Sequence, residues 1–221
     1  MTGKNSLEEM MMWDTLGVEL MGGVPILQSL RILGECFPSY TEEIQYMHDV
    51  IKSGESVRDV FDKYSSSFHP GIVPLVLRGE EDGELPSYLF QCRDLVKQDL
   101  AQNPVREPKA DKKELDTYAA KGKFFGDIGR ALDSGSCVVR ILKDMAESKT
   151  PSYVPASALT SMRDAILSGS TLQEALNEHK EYFDSFDVNM MRAGECSGCI
   201  GTIMDRLEEF YARKYEAKSS G

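Results

Sequence analysis

Long apolar runs are missing from this chain of 221 residues. The longest, such as Gly71 to Leu77, fall far short of the roughly 18 residues a membrane-spanning helix needs, so no membrane span is expected. Met1 to Glu9 is polar, carries one Lys and has no apolar signal-like segment behind it, which excludes a readable secretory signal and leads to the expectation of a cytoplasmic protein. Basic residues are also scarce. The 25 Lys and Arg are outnumbered by 36 Asp and Glu, for a formal net charge of -11, and such a surface repels a phosphate backbone, so no nucleic-acid partner is expected. Only three histidines occur, His48, His69 and His179, and none has Ser, Cys or Asp around it in a catalytic order. The five cysteines are odd in number and scattered apart from Cys196 and Cys199, which argues against a disulfide framework. What remains, 41% apolar and 28% charged residues, is the composition of an ordinary folded protein.

The chain is a tandem repeat. At an offset of 112 positions Leu16 falls on Ile128, Gly17 on Gly129, Leu20 on Leu132, Gly23 on Gly135, Leu30 on Leu142 and Glu35 on Glu147. After a small insertion the offset becomes 115, and Met47 falls on Met162, Ser53-Gly54 on Ser168-Gly169, Phe68 on Phe183, Gly79-Glu80 on Gly194-Glu195 and Gly83 on Gly198. Two unrelated amphipathic stretches would share apolar periodicity but not these glycines, so the unit is duplicated. The matching stretches run from about 14 to 99 and from 126 to 214, with domains expected over 1–101 and 124–221. Between them, 102–123 carries Pro104, Pro108 and six basic residues (Arg106, Lys109, Lys112, Lys113, Lys121 and Lys123), which reads as a polar basic linker or a solvated connecting helix. Fifteen acidic against seven basic residues give 14–99 a charge of -8, and fourteen against ten give 126–214 a charge of -4.

Each repeat reads as helices. Leu85, Tyr88, Leu89, Cys92, Leu95 and Val96 form one face at helical spacing, and Ile200, Ile203, Met204, Leu207, Phe210 and Tyr211 repeat it. Gly54 and Gly169 sit where helices end, Ser56 and Thr171 follow as N-caps, and Thr171 with Glu174 fits a capping box. The punctuation predicts helices near 8–21, 25–36, 40–52, 57–64, 70–81 and 86–101, repeated in the second half. The fold class is all-α, as two tandem antiparallel six-helix bundles.

Candidate chemistry is thin. Cys196-Ser197-Gly198-Cys199 is a C-x-x-C pair able to exchange thiols or to supply two zinc ligands, but no βαβ context or further ligands accompany it. The acidic run Glu80-Glu81-Asp82-Gly83-Glu84 lacks the alternating ligand spacing of a calcium loop and reads as a solvated helix end. No catalytic residue, metal ligand set or cofactor is expected. Met10, Met11 and Met12 suit either a partner patch or a buried first helix.

The order Gly23-Val24-Pro25, Ile51-Lys52-Ser53-Gly54-Glu55-Ser56, Phe68-His69-Pro70 and Gly79-Glu80-Glu81-Asp82-Gly83-Glu84-Leu85 resembles the cytoplasmic domain of the type II secretion system F family, which includes the type IV pilus inner-membrane platform protein. The second repeat follows through Ser134-Gly135, Leu167-Ser168-Gly169, Phe183 and Gly194-Glu195-Cys196-Ser197-Gly198. The resemblance implies two six-helix bundles without catalytic activity, in contact with the assembly ATPase and other platform subunits; a homodimer is a separate expectation, through helix-face contacts. Family members carry transmembrane helices after their bundles and none is readable here, which implies a soluble accessory or scaffold, cytoplasmic or peripheral at the inner membrane. The motif glycines, Gly23, Gly54, Gly79, Gly83, Gly135, Gly169, Gly194 and Gly198, are expected to shape the fold: Gly79 and Gly194 by close helix approach, Gly83 and Gly198 by ending a helix and reversing the chain. Glu80 and Glu195 are the polar candidates, for bonding adjacent backbone or for touching a partner. The alternative to an interaction module is a metal- or redox-responsive protein using Cys196 and Cys199.

Overall fold

Apolar residues at helical spacing, punctuated by glycine and proline, produce an all-α chain. The computed structural model describes residues 6–104 and 107–219, and among these there are twelve α-helices, one 3-10 turn and no strand. The first six are α1 (Ser6–Met21), α2 (Ile26–Cys36), α3 (Thr41–Ser53), α4 (Arg58–Tyr64), α5 (Ile72–Asp82) and α6 (Leu85–Gln102), with the 3-10 turn at Pro38–Tyr40. The second six are α7 (Lys112–Asp133), α8 (Val138–Glu147), α9 (Ala156–Leu167), α10 (Leu172–Asn177), α11 (Ser185–Ser197) and α12 (Ile200–Ser219). The chain divides between Val105 and Arg106 into two compact units. No helix among the described residues is long and apolar enough to cross a membrane.

In the first unit α1 and α6 lie antiparallel. Asp14 pairs with Arg93 at 2.8 Å, and one turn further along α1 Gly17 meets the Phe90 ring one turn earlier on α6. The core gathers on Phe68, whose ring centroid lies 5.4 Å from Trp13, 5.8 Å from Tyr40 and 5.8 Å from Phe61. Met10, Met11 and Met12 are buried, as core residues of α1.

The second unit repeats the scheme. Along α7, Glu114, Gly122, Gly129 and Asp133 face Lys218, Tyr211, Asp205 and Gly201 of α12 in descending order, which makes this pair antiparallel as well. The approach is close because α7 offers glycines where α12 crosses. A Cβ on Gly122 would lie 3.2 Å from Tyr211 Cβ, and one on Gly129 would lie 2.7 Å from an Asp205 carboxylate oxygen. Phe125 and Phe183, 6.0 Å apart, hold the places that Trp13 and Phe68 hold in the first unit.

Two local expectations change. The segment over 102–123 is not a linker throughout: Asp111 caps α7 by accepting from the Glu114 N–H at 2.8 Å, so the helix starts at Lys112 and its first three turns belong to the second unit. Arg106 lies outside the described residues. Ser56 does not cap as Thr171 does. The Thr171 and Glu174 box is complete, whereas Ser56 Oγ accepts from the Arg58 N–H at 3.2 Å and α4 begins at Arg58. Aspartate at position 59 has one methylene fewer than glutamate with which to reach back to the cap.

Candidate functional site

The motif Gly-Glu-x-x-Gly closes α5 and α11 in the same way. In the first unit the Gly83 N–H donates to Glu80 O at 3.4 Å and the Glu84 N–H to Gly79 O at 3.1 Å, a paired Schellman closure that needs a left-handed residue, and Gly83 supplies it with φ of 71°. In the second unit the Gly198 N–H donates to Glu195 O at 3.3 Å and the Cys199 N–H to Gly194 O at 2.9 Å, again with φ of 71° at Gly198. The next helix starts at once and folds back over the motif's first glycine. A Cβ on Gly79 would lie 3.1 Å from Leu85 Cα, and one on Gly194 would lie 3.2 Å from Ile200 Cα, so each glycine sits against backbone that cannot give way. Gly23, Gly54, Gly135 and Gly169 also have positive φ, at loop positions following α1, α3, α7 and α9.

The two motif glutamates do different things. Glu195 bonds inward: one carboxylate oxygen accepts from the Leu172 N–H at 2.6 Å and the other from the Gln173 N–H at 3.3 Å, so it satisfies two otherwise free donors at the start of α10. The Glu80 carboxylate makes no such bond. It is exposed, has no polar partner among the described residues, and lines the mouth of a pocket of about 240 Å³ in the first unit. The inner wall is Trp13, Leu16, Met47, Val57, Val76 and Leu89, all buried. Ile26, Ile51, Gly54, Leu85 and the exposed Glu55 complete the lining with Glu80.

Cys196 and Cys199 are not joined in a disulfide; Cys196 is exposed and Cys199 is half-buried just ahead of α12. No group of three or more His, Cys, Asp or Glu side chains among the described residues is arranged to hold a metal ion. In the acidic run, Asp82 accepts a hydrogen bond from the Tyr88 hydroxyl, while Glu80, Glu81 and Glu84 are exposed.

Buried charge sits elsewhere, at sites the sequence pattern does not single out. Lys121 of α7 is 5% exposed and donates to Asp184 at 2.9 Å, to Asp187 and to the Tyr211 hydroxyl. Asp184 and Asp187 form a capping box on α11, so the lysine neutralises the carboxylates that start that helix. Burial opposes the Lys121 charge, yet the Asp187 and Asp184 carboxylates raise its pKa overall. Burial pushes Asp187 up to about 6 against the pull of Lys121. The counterpart of Lys121 in the first unit is Glu9, which accepts from the His69 N–H at 2.8 Å and the Trp13 indole at 3.4 Å. Burial pushes the Glu9 carboxyl up to about 7. The D-x-x-D spacing of Asp184 and Asp187 was the one readable signal for this cluster. Lys121 was hidden in the basic run assigned to the linker.

This architecture matches the family model for type II secretion system (T2SS) protein F twice, over residues 13–104 and 124–220. The chain belongs to the type II secretion system protein F family. Both matched segments contain one complete copy of the turn described above. A type IV pilus assembly protein PilC from Myxococcus xanthus is 26% identical over 147 residues, which are 62% of this chain and 35% of that relative. A type IV pilus assembly protein PilC from Thermus thermophilus is 30% identical over 95 residues, 43% of this chain and 23% of that protein. The matches thus span about a third of the one relative and under a quarter of the other. Within this protein F family unit, the glutamate of the second motif, Glu195, is bonded to backbone, and its counterpart Glu80 in the first motif is not.

Proposed function

We propose that this chain is a non-catalytic protein–protein interaction module of the inner-membrane platform of type II secretion or type IV pilus assembly. It acts as an accessory or scaffold that contacts the assembly ATPase or platform subunits through helix faces. The observation that carries the reading is the family match over both repeats, joined to relatives named for type IV pilus assembly. Its buried ionic groups support it too. Lys121, Asp184 and Asp187 hold helix starts together, and Glu9 ties α1 to the chain entering α5, which are structural duties. The location proposed is the cytoplasm, peripheral to the inner membrane, with homodimerisation as a further association.

Capture of the tagged chain from its own cells tests this, with soluble and membrane fractions treated separately and captured proteins identified by mass spectrometry. The reading predicts enrichment of a secretion or pilus assembly ATPase or of platform subunits. Recovery of the chain alone, or of unrelated proteins, contradicts it.

A further inference from the structure

The pocket in the first unit is lined by residues that differ between the two repeats. Val57 and Val76 form part of its buried wall, and the equivalent positions in the second unit hold the larger Leu172 and Met191, both buried. Glu55 on its rim is replaced by Ser170, and Glu80 by a glutamate already bonded to backbone. Bundle one therefore has a cavity of about 240 Å³, larger than the roughly 150 Å³ that admits a benzene ring. Its wall is apolar, its mouth carries two carboxylates, and the stretch 14–99 around it has a net charge of -8. An anionic ligand is repelled here. A neutral apolar group leaves Glu80 without a partner.

We propose that this pocket is the docking socket for a segment of a protein partner that inserts one aromatic or branched apolar side chain and sets an adjacent Lys or Arg against Glu80 and Glu55. The proposal rests on the reading of the chain as an interaction module and names the partner chemistry its first bundle takes. The apolar side chain supplies buried area, and the cation selects orientation and partner by charge. Glu195, held by the Leu172 and Gln173 N–H groups, is closed to that role, so the two repeats divide the labour: the second motif stiffens its bundle and the first recognises.

Trp13 lines the pocket and is the only tryptophan of the chain, so its emission reports occupancy directly. The full chain is titrated with two blocked tetrapeptides, Ac-Ala-Phe-Lys-Ala-NH2 and Ac-Ala-Phe-Glu-Ala-NH2, and with phenethylammonium, none of which absorbs where tryptophan is excited. The expected result is a saturable change with the Lys peptide and binding about tenfold weaker with the Glu peptide, on the scale of one partly screened charge contact. Glu80→Gln should narrow that difference. The double variant Val57→Leu with Val76→Met, which installs the residues of the second unit, should abolish the response while melting cooperatively. Equal affinity for the two peptides overturns the proposal, as does binding that survives the double variant. Saturation by phenethylammonium without saturation by the Lys peptide also overturns it and marks the pocket as a small-amine site. A concentration-dependent dimer that the double variant dissolves overturns it in favour of a second copy of this chain. These titrations need no lysate partner, so they can fail while capture of the assembly ATPase succeeds, and the reverse.

Discussion

Glu9 and Lys121 occupy equivalent positions 112 residues apart, on the first helix of each bundle, and carry opposite charges to the same structural task. Glu9 accepts from the His69 N–H at 2.8 Å ahead of α5, and Lys121 donates to Asp184 at 2.9 Å ahead of α11. Duplication kept the geometry, a first helix tied to the start of the fifth, while the chemistry of the tie was inverted. In one bundle a buried carboxylate meets a backbone N–H and an indole N–H. In the other a lysine meets a pair of capping carboxylates.

The Glu9 carboxylate makes the first bundle sensitive to pH. Burial holds Glu9 at about 7 in the folded state against an ordinary 4.5, so folding favours its protonated form. The stability this group contributes is complete below about pH 4.5 and is lost as pH rises through 7, by about 3 kcal/mol in all. Urea unfolding followed by Trp13 emission should therefore show a weaker first bundle at pH 8 than at pH 5, and Glu9→Gln should remove most of that difference. An unchanged pH dependence in the variant contradicts the assignment.

Removing Lys121 should be costly for a different reason. Lys121→Met leaves Asp187, 0% exposed, without its cation, and an uncompensated buried charge costs about 3–5 kcal/mol. Adding Asp187→Asn should recover part of the loss, with a coupling energy of more than about 1 kcal/mol in a double-mutant cycle followed by circular dichroism. Additive effects of the two substitutions would show that the pair does not act as a unit.

The motif glutamates should separate in the same kind of experiment. Glu195→Ala frees two N–H groups at the start of α10 and should cost about 1–2 kcal/mol. Glu80→Ala removes no bond and should change stability by less than about 0.5 kcal/mol. Equal costs would mean that the two turns are used alike.

Gly83 tests the turn itself. Its φ of 71° costs an L-residue about 1–2 kcal/mol, and a β-branched side chain is worse placed there than asparagine, which visits this region readily. Gly83→Val should lower the melting temperature of the first bundle clearly more than Gly83→Asn does. An unchanged melting curve for the valine variant refutes the role of this turn.

Helices were legible in the sequence because their signals are local. The apolar stripe of Leu85, Leu89, Cys92 and Val96 predicts a helix over 86–101 and α6 spans Leu85–Gln102, while Gly83 and Pro104 bracket it within two residues of its ends. Thr171 and Glu174 announced their capping box from three positions apart. Lys121 could not be read this way. Its carboxylates lie 63 and 66 residues further on, and six basic residues in a stretch that opens with two prolines look solvated until the fold brings Asp184 and Asp187 to Lys121. The same limit applied to Glu195, for which bonding adjacent backbone and contacting a partner were both chemically open. The nearness of the α10 start, 22 and 23 residues away in sequence, selects the first. Nothing in the residues of the first motif alone shows that Glu80 faces an apolar pocket, because that pocket is assembled from five helices.

Binding of this chain to the secretion or pilus assembly machinery as a scaffold is tested most directly by calorimetry. The purified full chain is titrated with the purified assembly ATPase of the same cells, and with its platform subunits, and the titrations are repeated with Glu80→Lys. The expected result is saturable binding to at least one of them, weakened by the reversed charge, with no change in the melting of the variant. Absence of binding to every component, with a chain that melts cooperatively, would contradict the scaffold role.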